Sequence, residues 1–161
     1  GAAGGGGEAP EIVKKARMGR QQTVKAILER ESSAVHSVDG AGNTVLIAAA
    51  SNGHLGTVKL VLRRGARVMQ RNSRGHTALH LALKYGYTDV AQTLVAHNAD
   101  ILAADNMGLT CAQVCHPKVY EAQAKQLERM GFSERDHVIA ALLTCEGNVQ
   151  AAVERLAVGA H

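Results

Sequence analysis

The sequence of 161 residues is nearly free of aromatic side chains, with one Phe, three Tyr and no Trp. Its apolar residues, 46% of the chain, are therefore mostly Ala, Val and Leu. Small apolar side chains favour close-packed helices over a β-sandwich, whose strands are usually rich in aromatic residues. Because charged residues make up only 20% of the chain, the composition also excludes a protein that stays disordered.

Long hydrophobic runs are missing too. No stretch of about 18 consecutive apolar residues occurs, so the sequence predicts no membrane-spanning helix. The N-terminus lacks a basic patch followed by an apolar stretch and does not resemble a secretory signal. We expect residues 1–9, GAAGGGGEA, to be a flexible leader or a cut end. Three cysteines, an odd number, argue against a disulfide framework and predict a reducing compartment, the cytoplasm or the nucleus.

Acidic residues are absent between Asp39 and Asp89, although the chain as a whole carries a net charge of only +4. The basic residues in this stretch are Lys59, Arg63, Arg64, Arg67, Arg71, Arg74 and Lys84. A solvated face is the commoner explanation of such a stretch, and a basic surface that binds an acidic partner is the alternative. Because few aromatic residues interleave the charges, nucleic acid is not the expected partner.

A repeat of 33 residues organises the chain as far as Pro117. The pattern Asp/Asn-x-x-Gly-x-Thr occurs three times at this spacing, at 39–44, 72–77 and 105–110. Turn-forming residues followed by threonine predict a tight turn and then a capped helix. Small apolar residues follow each threonine, which lets neighbouring helices approach closely. The repeat therefore predicts an all-α solenoid of stacked helix pairs.

The repeat length and the string TALHLA at 77–82 resemble the ankyrin repeat, whose signature is T-P-L-H-x-A. The units implied are a capping unit at 10–38, full repeats at 39–71 and 72–104, and a half repeat at 105–117 that keeps its turn and first helix. In this family the histidine matching His80 organises the turn. Partner proteins bind near the finger-like turns between repeats. The residues placed there are Arg67, Arg71, Arg74 and His76.

After Pro117 the spacing changes, and residues 118–158 predict three short helices. The first covers about 119–129 and is followed by Gly131, which ends it. Ser133 is expected to cap the second helix and Asn148 the third. Apolar residues in the third helix follow the i, i+3, i+4, i+7 pattern of an amphipathic helix.

The strings MGF at 130–132, GNV at 147–149 and AVERL at 152–156 are similar to those of the ubiquitin-associated (UBA) domain. In that family the Met-Gly-Phe loop and the end of the third helix meet the apolar patch of ubiquitin. The ubiquitin-binding residues implied here are Met130, Gly131, Phe132, Asp136, Leu156 and Ala157. Asp136 and Glu154 would complement basic residues around that patch. Many members carry a large apolar residue where this chain has Ala157, which reduces the contact area.

These resemblances imply a non-enzymatic adaptor that holds a protein client on its ankyrin face and ubiquitin or a ubiquitylated protein on its UBA-like module. The alternative is a structural or targeting module of a larger protein, for example an enzyme. In that case the UBA-like module caps the ankyrin stack and binds no ubiquitin. Burial of Phe132 and Leu156 against the stack would exclude the adaptor.

No catalytic residue, cofactor or metal site is predicted. Cys111, Cys115 and His116 have ligand-like spacing, but zinc needs four ligands and no second cluster occurs. Both cysteines are expected in the core of the last ankyrin helix.

The two modules have no Gly/Ser/Pro linker beyond His116-Pro117. The second helix of a fourth ankyrin unit would fall at about 121–129, where the first UBA-like helix is also expected. We therefore hypothesise that one helix serves both modules and that the join is stiff.

Overall fold

The computed structural model describes residues 8–159, so most of the leader expected at 1–9 lies outside the described residues. The helices are α1 (Glu11–Arg17), α2 (Gln21–Arg30), a 3-10 helix (Ser32–His36), α3 (Val45–Ala50), α4 (Leu55–Arg63), α5 (Ala78–Lys84), α6 (Thr88–Ala96), α7 (Glu121–Arg129), α8 (Arg135–Thr144) and α9 (Val149–Val158). Between residues 8 and 159 the chain forms no strand beyond two isolated bridges. The predicted all-α fold is confirmed. Each helix in this range falls short of the length and apolarity that a bilayer crossing requires.

The first six helices form three pairs that stack side by side. The first helices of the pairs, α1, α3 and α5, pack on one another in chain order, and α2, α4 and α6 form the second row. Every residue of α3 is buried. Its sequence, VLIAAA, allows this because the alanines bring the neighbouring helices close on both sides.

The three finger turns, residues 39–44, 72–77 and 105–110, share one hydrogen-bond pattern. The leading side chain accepts two backbone N–H groups: Asp39 from Ala41 and Asn43, Asn72 from Arg74 and His76, and Asp105 from Met107 and Leu109, at 2.8–3.0 Å. This confirms the predicted turns, because short polar side chains bond their own backbone in such turns. Thr44 and Thr77 then cap α3 and α5 as predicted.

Each finger turn is hydrogen-bonded to the next. The Asn72 side chain donates to the Asn43 side chain at 2.9 Å, and the Ser73 N–H donates to the Ala41 carbonyl at 3.0 Å. One repeat further on, the Asn106 N–H donates to the Arg74 carbonyl at 3.1 Å. The fingers therefore form a continuous edge along the stack.

The prediction of a first helix in the half repeat is wrong, since no helix of the described chain begins between Ala96 and Glu121. Only its first turn is shaped like a helix start, where the Thr110 N–H donates to the Gln113 side chain at 2.9 Å. After one turn the chain leaves this path, and the His116 N–H donates to the Leu83 carbonyl at 2.8 Å. Pro117 disfavours helical backbone at the residue before it, and a single turn does not sustain a helix.

Helices α7, α8 and α9 pack into a three-helix bundle. Asn148 caps α9 as predicted, accepting the Ala151 N–H at 3.1 Å. The cap predicted at Ser133 is wrong, because α8 begins at Arg135 and its N-cap is Glu134, which makes no side-chain capping bond. The Glu134 carboxylate instead pairs with His137 in the first turn.

The helix that joins the bundle to the stack is α8, which packs against α6, whereas α7 packs against α8 and α9. The hypothesis that α7 serves both modules is therefore wrong. Tyr120 adds a second connection: its hydroxyl is hydrogen-bonded to Gln92 on α6. The Tyr120 ring also packs closely against Gly147 in the turn before α9, where an added Cβ would lie 2.9 Å from the ring.

We expect the bundle and the stack to tumble as one body, because the α6–α8 contact and Tyr120 both hold the join. Backbone ¹⁵N relaxation should give one correlation time for amides of α1–α6 and of α7–α9. Shorter correlation times confined to residues 121–158 would show that the join is flexible. The Tyr120→Phe variant, which keeps the ring but removes its hydroxyl, should leave the common correlation time unchanged.

Candidate functional site

A groove of about 910 Å³ lies between the last full repeat and the C-terminal bundle. The repeat supplies one wall from Val95 and residues 98–102. The bundle supplies the other wall from residues 131–134, from α8 and from the end of α9. Apolar side chains from both walls face the groove. Among them are Ile101, Leu102, Phe132, Val138 and Leu156.

The loop after α7 is shaped by the way that helix ends. The Gly131 N–H donates to the Glu128 carbonyl at 3.0 Å, and the Phe132 N–H donates to the Leu127 carbonyl at 3.1 Å. These two bonds form a Schellman motif, which needs positive φ at its central residue. Gly131 meets this need with φ of 96°. The motif turns the chain sharply and places Phe132 against the groove.

The structure brings together only part of the predicted ubiquitin-binding set. Gly131, Phe132 and Leu156 line the groove. Met130 is 52% exposed beside it, at the C-cap of α7. Asp136, half-buried in the first turn of α8, and Ala157, exposed on α9, do not line the groove.

Phe132 and Leu156 are half-buried rather than enclosed. Both pack partly against the hydrophobic core, and both also border the open groove. Neither side chain is buried, so the condition that would exclude an adaptor, burial of both against the stack, is not met.

The predicted partner-binding residues of the finger turns divide into two kinds. The Arg71 guanidinium donates to the Gly75 carbonyl at 3.1 Å and to the Ala104 carbonyl at 2.7 Å, so it ties two fingers together. The side chain of His76 is only 12% exposed and contacts Asp105 at 3.2 Å. These two residues hold the stack together. Arg67, Arg71 and Arg74 are all exposed, but the guanidinium of Arg71 is already hydrogen-bonded between two fingers.

Two family models match the chain: ankyrin repeats, in three copies, over residues 12–105, and the UBA/TS-N domain over residues 119–156. The chain belongs to the ankyrin-repeat family. Its C-terminal bundle is a UBA domain. The predicted architecture is therefore confirmed, and both domains support a role in protein–protein interaction.

Similar proteins share the ankyrin region. The probable E3 ubiquitin-protein ligase XBOS32 of Oryza sativa subsp. japonica is 40% identical over 95 residues, 58% of this chain and 19% of that protein. Protein phosphatase 1 regulatory subunit 27 of Mus musculus is 33% identical over 92 residues, 57% of this chain and 60% of that protein. Ankyrin repeat and SAM domain-containing protein 6 of Mus musculus is 36% identical over 102 residues, 63% of this chain and 12% of that protein. The chain thus spans less than two thirds of each relative.

The ankyrin histidine His80 is buried and acts within the fold. Its Nδ1 accepts the Thr77 N–H at 3.2 Å, which completes a capping box, and its Nε2 donates to the Leu109 carbonyl at 3.3 Å. The tautomer is set by these partners, since an N–H only donates and a carbonyl only accepts. Burial lowers the pKa of His80, which favours the neutral ring.

The cysteines of the ankyrin end are not reactive groups. Cys111 is fully buried with its sulfur 3.3 Å from His80 Nδ1, and burial raises its pKa to about 12. Burial also raises the pKa of Cys115 to about 11. A thiol that stays protonated at neutral pH is a poor nucleophile. Across residues 8–159, no three His, Cys, Asp or Glu side chains are grouped to hold a metal.

The sequence did not reveal the ankyrin wall of the groove. Leu102 is 66% exposed and occupies the repeat position of Met69, 33 residues earlier. The local sequence therefore does not distinguish the loop that contains Leu102 from the loop that contains Met69. Only the docking of α8 on α6 brings the loop at 98–102, rather than the earlier one, beside the UBA domain.

Proposed function

We propose that this protein is a non-enzymatic adaptor. Its UBA domain binds ubiquitin or a ubiquitylated protein, and its ankyrin finger turns bind a protein client. The observation that carries the proposal is the Schellman loop, which leaves Met130 exposed next to the half-buried ring of Phe132. An adaptable apolar side chain beside an aromatic anchor suits a small protein-binding surface.

The ubiquitin contact would be weak. A surface built from the Met130–Phe132 loop and Leu156 buries less than about 1,200 Å² in total, the range of transient complexes. Ala157 reduces it further, because it offers little apolar area. Useful affinity would then come from several linked contacts, such as a ubiquitin chain or a client held at the same time. Asp136 and the exposed Glu154 would favour a partner with basic residues around its apolar patch.

The client surface proposed on the ankyrin stack centres on Arg67 and Arg74. Both side chains are exposed, in the stretch between Asp39 and Asp89 that contains no acidic residue. An acidic protein surface is the partner that this charge favours. Nucleic acid is a poorer fit, because Tyr85 and Tyr87 are the only aromatic residues in this stretch and Tyr87 is half-buried.

A second candidate function is favoured by the join. The packing of α8 against α6 and the Tyr120–Gln92 hydrogen bond cover the end of the ankyrin stack with the UBA domain. Exposed stack ends need such a cap for stability. In this role the chain is a structural or targeting module of a larger protein and binds no ubiquitin.

Titration of the ¹⁵N-labelled chain with ubiquitin distinguishes the two roles. For the adaptor we expect shift changes at residues 130–136 and 153–158. Both Phe132→Ala and Met130→Ala should raise the Kd by about tenfold or more, because hot-spot anchors of small interfaces have effects of this size. Met130 is exposed, so its substitution tests binding without disturbing the core. Shift changes elsewhere, or none, would favour the capping role.

We propose no catalytic activity, because ankyrin repeats and UBA domains are non-catalytic modules. The relatives named E3 ubiquitin-protein ligases match this chain through the ankyrin region. The cytoplasm or the nucleus remains the expected location, since the chain has an odd number of cysteines.

A further inference from the structure

We infer that the ubiquitin site is composite, with the ankyrin loop at residues 98–102 forming its second wall. In this arrangement the apolar patch of ubiquitin enters the groove and contacts Leu102 as well as Phe132 and Leu156. The inference rests on the proposed function, because it names an additional contact for the same partner.

The ankyrin wall is held in a defined shape. The Asp100 carboxylate accepts the Leu102 N–H at 2.9 Å, and the Ala103 N–H donates to the Asp100 carbonyl at 3.3 Å. Ala99 anchors the loop, since it is buried in the core. A loop that is already ordered loses little entropy on binding, so its contacts add to affinity.

Leu102 is a large apolar side chain left in solvent. It is 66% exposed, and it lines the same groove as Phe132 and Leu156 from the opposite wall. Exposed apolar side chains that converge on one concavity mark an interaction site, whereas isolated ones do not. The second wall enlarges the apolar surface available to a partner beyond that of the UBA loop alone.

The charge around the groove favours one kind of occupant. Asp100 and Glu134 line opposite walls, together with Arg155 and with His137, whose ring pairs with Glu134. With histidine counted as neutral, two carboxylates against one guanidinium leave an excess of negative charge, on a chain whose net charge is +4. An apolar patch surrounded by basic residues, which is the ubiquitin surface that UBA domains meet, complements an apolar groove with an acidic rim.

The test compares two exposed apolar residues of the ankyrin end. Leu102→Ala truncates the groove wall, while Met107→Ala truncates a side chain that is 83% exposed and outside the groove lining. We expect Leu102→Ala to raise the Kd for ubiquitin by about three- to tenfold and Met107→Ala to leave it unchanged. Wild-type titrations should also shift the amides of residues 98–102.

Charge is tested separately with Asp100→Asn, whose side-chain oxygen still accepts the Leu102 N–H. We expect about a twofold rise in Kd at low salt that disappears as salt is added, because salt screens exposed charges.

The remaining outcomes overturn the inference. If Leu102→Ala binds ubiquitin as tightly as the wild type while Phe132→Ala still binds weakly, the ankyrin loop is not part of the ubiquitin site. The proposed function would then be unaffected. Tighter binding by Leu102→Ala would show that the wall obstructs ubiquitin. Concentration-dependent shifts at 98–102 without ubiquitin would identify a second copy of the chain as the occupant. No ubiquitin binding by the wild-type chain would overturn the proposed function as well.

Discussion

Replacing Gly75 with Ala is expected to lower the free energy of unfolding by about 2–4 kcal/mol, whereas Gly108→Ala should cost only about 1 kcal/mol. The two glycines occupy the same position of successive finger turns. Their φ angles, 77° and 79°, are nearly equal, so the strain of placing Ala at positive φ is the same in both.

The difference lies in what surrounds each glycine. A Cβ at Gly75 would lie 2.7 Å from the backbone N of Asn106 and would also meet the Asn106 side chain, whereas a Cβ at Gly108 has nothing within 4 Å. Asn106 cannot move aside without cost, because its N–H donates to the Arg74 carbonyl and its side chain to the Ser73 carbonyl. The clash therefore falls on the bonds that stack the fingers.

Urea unfolding of both variants and the wild type measures this difference directly. Equal destabilisation by Gly75→Ala and Gly108→Ala would mean that backbone strain alone matters and that the finger stacking adapts freely.

Replacing His80 with Ala should lower the free energy of unfolding by about 2–4 kcal/mol, since the buried Thr77 N–H loses its partner and the fully buried ring leaves a cavity. The Leu109 carbonyl of the next repeat also loses its bond to the ring, although it still accepts the Asp105 N–H. His97→Ala is the matched control, because His97 is exposed and bonds only within its own helix end, to the Thr93 carbonyl at 2.8 Å. It should change stability by less than about 0.5 kcal/mol.

Protonation of His80 should also destabilise the fold in mildly acidic solution. Burial lowers the pKa of His80 from its ordinary value of 6.5. As the pH falls, His80 is therefore protonated in the unfolded chain before it is protonated in the folded protein. Stability that is present above pH 6.5 is lost as the pH falls toward the pKa that His80 has in the folded protein. The loss is at most about 1.4 kcal/mol per pH unit. Asp39 and Asp105 do not contribute to this window, because their pKa values are lowered from 3.8.

Thermal unfolding of the wild type and of His80→Ala at pH 7.5 and pH 5.5 tests both effects. The wild type should lose more stability between these pH values than the variant. The same pH dependence in both proteins would show that other groups cause it.

Local features of the fold were predictable because neighbouring residues determine them. The finger turns depend on Asp39, Asn72 and Asp105, which bond their own backbone within four residues. Asn148 caps α9 for the same reason. The cap expected at Ser133 was wrong because α8 begins at Arg135, which makes Glu134 its N-cap residue, and Glu134 forms no side-chain capping bond.

The candidate site was only partly predictable. Phe132 and Leu156 were found from the UBA resemblance and do line the groove. Arg71 and His76 were expected to face a partner, but both are used between fingers. Their bonding partners, Ala104 and Asp105, lie one repeat further on, and a basic sequence pattern does not reveal such contacts.

By itself, the sequence determined the 33-residue stack, the three-helix bundle after Pro117 and the scarcity of aromatic residues that makes Phe132 the single Phe of the chain. Only the tertiary structure decided that α8, rather than α7, meets α6 and that Leu102 stands opposite Phe132. The physical reason is the distance along the chain over which the deciding interactions act. Turns and caps are set by bonds within a few residues, whereas docking depends on the shape of two finished surfaces.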